Sequence, residues 1–434
     1  MHSLRAVSCA LVLAVASPAH AATLLAHREM MTNGITLLVA ERPAIPIAVV
    51  RVYLRAGSAF DPPEAPGLAN LTAELLTRGT GKRSGPDLDR AIEFVGGSLE
   101  AEAGRDGTTV TLSVLKKDLS LGLDFLAEVL LQPAFLEDEL KRKVQEIQTA
   151  LKREEESPET VAVRELARLL YPGHPYAHPT AGTIESVGQI TRDQVIRFYR
   201  EHYRPDAAII AAVGAVTREE IRRELVARLA LWTAPSGVRP SVGPAPAQPP
   251  VVQRTIARPL TQATVYLGRP AIRQDHPDYF PLTVANYVLG GGSASRLYTR
   301  VREERGLAYA VYSLVSPARY GASAVVSLQT RLDGVDEAVR LAKEEMARLA
   351  TAPVEPREIE LAKSYLIGSF PLRLDTSAKV AGLLVAIEEN GLGLDYAERF
   401  KAGVAKVTAA DVQRVAARYL DPATFSSVTV GPSP

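Results

Sequence analysis

TRDQVIRFYREHYRPDAAIIAAVG at residues 191–214 returns as TAADVQRVAARYLDPATFSSVTVG at residues 408–431. Thr191, Val195, Pro205 and Gly214 recur as Thr408, Val412, Pro422 and Gly431, at a constant offset of 217 residues. Each copy reads as a helix followed by a strand. Further out, Val52-Tyr53-Leu54 is echoed by Val265-Tyr266-Leu267, and the apolar helical stretch 125–130 by a second one over 338–349. The shared order of these matches argues for a duplicated domain. Between the copies, Ala234-Pro235-Ser236-Gly237 opens a segment crowded with Pro240, Pro244, Pro246, Pro249 and Pro250. Repeated prolines remove backbone donors and lock φ, so residues 234–250 are expected to form an extended, flexible linker. The predicted domains are therefore 22–233 and 251–434.

Within each half the elements are mixed. Residues 47–54, 108–115, 263–267 and 322–328 have strand composition, and 68–76, 87–94, 119–131 and 137–153 carry helical apolar spacing. Strands, then long helices, then a helix and a last strand predict an α+β fold. Two homologous α/β-sandwich domains are expected, each a mixed sheet covered by helices, and together they could enclose a cavity.

The 434 residues are 23% charged and 47% hydrophobic, which excludes intrinsic disorder. Lys plus Arg is 50 against 49 for Asp plus Glu, so the basic excess of a nucleic-acid binder is missing. The single cysteine, Cys9, excludes a disulfide framework and a thiolate metal cluster. It lies in an N-terminal stretch that reads as an export signal: Arg5, an apolar run over 9–16, and small residues at Ala19 and Ala21. Cleavage after Ala21 is expected, giving an exported protein, periplasmic in a Gram-negative cell. No later stretch has the roughly 18–20 apolar residues that span a bilayer.

Catalytic residues are sparse. His174 and His178 have the four-residue spacing of a zinc helix, but Pro172, Pro175 and Pro179 interrupt any helix, and no Glu lies between them, so an ordered loop is expected. Gly290-Gly291-Gly292 lacks the Lys-Ser/Thr of a phosphate loop.

Ala56-Gly57-Ser58, Gly67-Leu68-Ala69 and Thr77-Arg78-Gly79-Thr80 resemble the first domain of the pitrilysin/insulinase-type (inverzincin) metallopeptidases. Tyr171 to Tyr176 with Gly182-Thr183 is similar to the loop after that family's zinc helix. The run from Gly290 through Ser295-Arg296-Leu297-Tyr298 to Arg302 and Tyr309 is similar to its C-terminal signature. The resemblance spans nearly the whole chain beyond the signal and implies half of a clamshell. Active members carry H-x-x-E-H, two zinc ligands and a general base, directly after Gly-Leu-Ala. Here Asn70 stands for the first histidine, Ala73 for the base and Glu74 for the second histidine, and the third-ligand register falls on Ala150. Glu146 and Glu154 lie off that register and read as a solvated helix face. A zinc hydrolase needs about three protein ligands and a base, so no metal or hydrolysis is expected of this chain alone. A site built from Glu74 with His174 or His178 is a remote third possibility.

Arg302 and Tyr309 match the family's arginine–tyrosine pair, which can donate hydrogen bonds to a developing oxyanion. A bland alternative pairs Arg302 with Glu303 or Glu304 and half-buries Tyr309 in a strand. The resemblance implies the non-catalytic subunit of a two-chain peptidase, similar to the alpha subunit of the mitochondrial processing peptidase. It would supply Arg302 and Tyr309 to a zinc-bearing relative that cleaves peptides. Gly290, Gly291 and Gly292 would form a mobile loop at the chamber entrance. The strand after Gly97, from Ser98, Leu99 and Glu100, would line peptide by strand addition. Homodimerisation stays open. The alternative is a peptide-binding or scaffold protein, since relatives also serve as structural cores of respiratory complexes.

Overall fold

A computed structural model describes residues 25–432, so the expected signal and Cys9 lie outside the described residues. β1 (His27–Met30), β2 (Thr36–Glu41), β3 (Ile47–Leu54), β4 (Ser98–Ala103), β5 (Thr108–Leu115) and β6 (Ala208–Gly214) form a mixed sheet in the order β1-β2-β6-β3-β5-β4. β7 (Gln253–Ala257), β8 (Gln262–Ala271), β9 (Ala308–Ser316), β10 (Ala322–Arg331) and β11 (Ser426–Gly431) form a second, ordered β7-β11-β8-β10-β9. Without β1 the two orders coincide. The directions coincide as well: β6 runs parallel to β2 and antiparallel to β3, and β11 runs parallel to β7 and antiparallel to β8. The duplicated sequence is a duplicated topology.

Among the described residues the first half of the chain carries eight α-helices: α1 (Leu68–Leu75), α2 (Gly85–Phe94), α3 (Leu119–Leu131), α4 (Glu137–Glu155), α5 (Pro158–Leu170), α6 (Ile184–Gln189), α7 (Arg192–His202) and α8 (Arg218–Leu229). The second half carries six: α9 (Tyr279–Gly290), α10 (Val335–Thr351), α11 (Pro356–Ser369), α12 (Ser377–Glu389), α13 (Tyr396–Lys406) and α14 (Ala409–Tyr419). The repeated residues have physical jobs. Thr191 and Thr408 each form a capping box, with Gln194 and Asp411, that satisfies donors at the start of α7 and α14. Pro205 and Pro422 each open a single 3-10 turn leading into β6 and β11. Gly214 sits at φ +133°, where a Cβ would lie 2.0 Å from the Ile47 carbonyl oxygen, so no other residue closes β6 against β3.

The halves exchange helices. α5, from the first half, covers β8 and β11 of the second sheet, and α12 covers β3 and β6 of the first. Leu384, Val380 and Val385 of α12 share one buried cluster with Val49, Tyr53, Ile209 and Val213. Leu166 and Leu170 of α5 share another with Tyr266, Val428 and Val430. The linker is consequently not the flexible tether its prolines predict. Its carbonyls and amides, unused by regular structure, bond to both halves. The Ala245 amide donates to the Tyr320 carbonyl at 2.7 Å, and the Gly243 carbonyl meets His174 Nε2 at 3.0 Å. Val242 and Ala245 pack beside Tyr171 and Tyr176.

A polar seam joins the domains. Asp106, in the β4–β5 turn, accepts from the Tyr176 hydroxyl and, at 3.1 Å, from the Arg319 amide in the β9–β10 turn. Tyr53 of β3 donates its hydroxyl to Glu389 at the end of α12. Burial pushes the Glu389 carboxyl up to about 7, Asp106 adds to the rise, and Tyr53, Arg319 and Arg55 oppose it. A carboxyl raised above its usual value of 4.5 stabilises the fold fully below that pH and loses the contribution as pH rises through about 7. Thermal melts at pH 5 and pH 8 should show the natural chain losing about 2–4 °C more than Glu389→Gln over that interval, the shift expected for ~2–3 kcal/mol when about 400 residues unfold together.

Candidate functional site

Arg302 and Tyr309 lie side by side. Tyr298–Glu303 winds as a π-helix, with the Glu304 amide reaching back to the Thr299 carbonyl at 2.9 Å, and the Gly306 and Leu307 amides close the turn onto Arg302 and Val301. Such widened turns are rare and concentrate at functional positions. The chain then enters β9, one of the two edge strands of its sheet. Ala308 pairs with Thr330 and Ala310 with Gln329, so Tyr309 is the extra residue of a β-bulge. A bulge bends the edge and re-aims one side chain; here the re-aimed ring is 77% exposed. The Arg302 guanidinium carbon lies 5.3 Å from the centre of that ring and 4.8 Å from that of Tyr298. The bland pairing does not form: Glu304 bonds Arg300 at 2.7 Å, and Arg302 makes no ion pair among the described residues. Two aromatic faces hold a cation whose N–H groups remain free.

The degenerate motif sits on α1, next to the edge strand β4. Gly67, at φ +97°, opens the helix where a Cβ would meet the Ala181 carbonyl oxygen at 2.8 Å. Buried Asp61 accepts from the Gly67 and Ala69 amides, both at 2.7 Å. Burial pushes its carboxyl up to about 7 against those two bonds. The Gly-Leu-Ala signature is thus a way of starting α1. On its face toward α4, Asn70 donates to Glu74 at 3.2 Å, and Lys143 of α4 places its ammonium 3.0 Å from Glu74 and 3.0 Å from Glu146. Ala73 is fully buried and Ala150 is exposed on α4. These residues do not fit a zinc ion: a neutral amide and one carboxylate face an ammonium. Among the described residues no group of three His, Cys, Asp or Glu side chains is placed to hold a metal.

Glu146 is therefore more than part of a solvated face, since it shares Lys143 with Glu74. Glu154 bonds Arg164 on the surface. Lys143 went unread in the sequence. Its signal was position, seven residues before Ala150 and so on the same side of α4.

The remaining expectations divide. Gly97 precedes β4, and Ser98, Leu99 and Glu100 open that strand, which among the described residues pairs only with β5 and is one of the two edges of the first sheet, β1 being the other. Gly290 is not in a loop: it ends α9, where a Cβ would lie 2.5 Å from the Ser313 amide nitrogen of β9. At Gly291 a Cβ would lie 2.6 Å from the Tyr287 Cα. Close contact with β9 demands Gly290, and close contact with Tyr287 of the preceding helical turn demands Gly291; Gly292 follows them. His174 accepts from the Tyr176 amide at 3.1 Å through Nδ1, and His178 bonds the Pro179 carbonyl at 3.1 Å, so neither histidine joins Glu74. No helix among the described residues is long and apolar enough to cross a membrane.

Comparison with known proteins follows this geometry. Residues 36–184 match the family profile Insulinase (Peptidase family M16), and residues 189–366 match Peptidase M16 inactive domain. An uncharacterized zinc protease of Streptomyces coelicolor is 28% identical over 94% of this chain and 89% of its own. A non-peptidase homolog, YmxG of Helicobacter pylori, is 25% identical over 82% of each. The crystal structure of a peptidase M16 inactive domain from Pseudomonas fluorescens superposes with a TM-score of 0.89 at 27% identity. It covers 94% of this chain and 98% of that one.

Proposed function

Because the chain belongs to the M16 peptidase family, and its second profile is that family's inactive domain, we propose that it is the non-catalytic subunit of a two-chain zinc peptidase. The supporting observation is the contrast between its two candidate centres. The position of the zinc motif holds Asn70, Ala73 and Glu74, while an exposed Tyr309 stands beside a half-buried Arg302 that has no acidic partner among the described residues. A zinc-bearing relative would hold the metal and supply the base. Arg302 and Tyr309 would reach its reacting carbonyl, where a fixed guanidinium and a phenol stabilise the oxyanion. The free edge β4 would hold extended peptide. An export signal over residues 1–21, the expectation from the sequence, would put this chemistry outside the cytoplasm.

The test is a titration of this protein into a zinc-bearing M16 peptidase from the same cell, with peptide cleavage as the readout and each chain assayed alone. Activity should appear on mixing and saturate near one to one. A flat titration with a folded, zinc-loaded partner removes the two-chain reading and leaves a peptide-binding or scaffold role.

A further inference from the structure

We propose that the Lys143 ammonium is a built-in substitute for the metal ion, occupying the gap between α1 and α4 and joining the two helices as a coordinated cation would. The inference goes beyond the two-chain reading and stands whether or not the chain has a partner.

Three observations carry it. Asn70 and Glu74 occupy the positions of the two histidine ligands, and the cation nearest them is Lys143, 3.0 Å from Glu74. The same ammonium lies 3.0 Å from Glu146 on its own helix, so its N–H donors reach carboxylates on both helices. Its side chain is only 18% exposed, less than either carboxylate it touches. An ordinary surface pair three residues apart on one helix would link Lys143 to Glu146 alone. The bond to Glu74, on a helix 69 residues earlier, is what a stitching cation adds. A +1 ammonium and a zinc ion cannot share one gap, so Lys143 also keeps metal out electrostatically. Arg142 holds the other oxygen of Glu146.

Restoring the ligands tests this. Asn70→His with Glu74→His should leave purified protein without stoichiometric zinc. Adding Lys143→Glu, which removes the ammonium and supplies a carboxylate, should yield one zinc per chain, bound at least ~100-fold more tightly. Equal affinity in the two variants overturns the proposal, and so does zinc in neither, since Lys143 would then not stand where a metal can be held. In the natural chain, Lys143→Met should lower Tm by about 1–2 °C and Lys143→Arg should recover at least half of that loss. An unchanged melt for Lys143→Met overturns the stitching role.

Discussion

Replacing Arg302 by alanine should lower the peptide-cleavage rate of the mixed complex by about 10²–10³-fold, with the complex still assembled, because removing one oxyanion donor typically costs about 2.7–4 kcal/mol of barrier. The fold gives reasons to expect loss of chemistry without loss of structure. Arg302 makes no ion pair among the described residues, and its guanidinium rests between Tyr298 and Tyr309 at the rim of the second sheet. The melting temperature of the isolated chain should stay within about 1 °C. Arg302→Lys should not rescue, since a round ammonium cannot stack flat between two rings or present a planar fork of donors. Tyr309→Phe keeps the ring against Arg302 and removes only the hydroxyl, so a smaller loss of about tenfold is expected. Assays at saturating peptide separate these effects: the loss should fall on kcat, because the donors act on charge that develops in the transition state. An Arg302→Ala complex of undiminished activity would make the subunit a scaffold.

Much of this was readable in the sequence where one element answers to one local pattern. β3 and β5 span the stretches of strand composition 47–54 and 108–115, and α3 spans 119–131. The constant offset between Thr191 and Thr408 reported the duplication because each threonine caps the same helix in its own half. What escaped depends on distant partners or on a miscount in register. The bulge at Tyr309 exists only relative to β10, so β9 alone cannot show it. The π-turn at Arg302 depends on one extra residue per turn, invisible to a helical period of 3.6. Lys143 reads as one more charge on a charged helix until α1 is laid beside it. The exchange of α5 and α12 is hidden because an apolar helix face does not say which sheet it will cover.

That exchange carries the second large expectation: Leu384→Ala should destabilise the whole chain by about 2.7–5 kcal/mol. Leu384 is completely buried, and its neighbours are the outer face of the first sheet, although it belongs to the second half of the sequence. The structure cannot close over the lost methyl groups easily, because Arg51 lies against Gly382 of the same helix. Leu166 of α5 fills the reciprocal place, where a Cβ at Gly268 would lie 2.8 Å from its methyl carbon. Each sheet is therefore sealed by a helix from the other half, and neither can expose its face without unfolding its neighbour. Denaturant or thermal melts should show a single cooperative transition, displaced as a unit by either Leu384→Ala or Leu166→Ala. Two transitions, with only one displaced, would show independent halves. The coupling bears on function, because a chain sealed this way cannot open at residues 234–250. On the two-chain reading, access to a shared chamber would then come from motion between this chain and its partner, so locking the two chains with an engineered inter-chain disulfide should stop peptide entry, while fixing the linker should not.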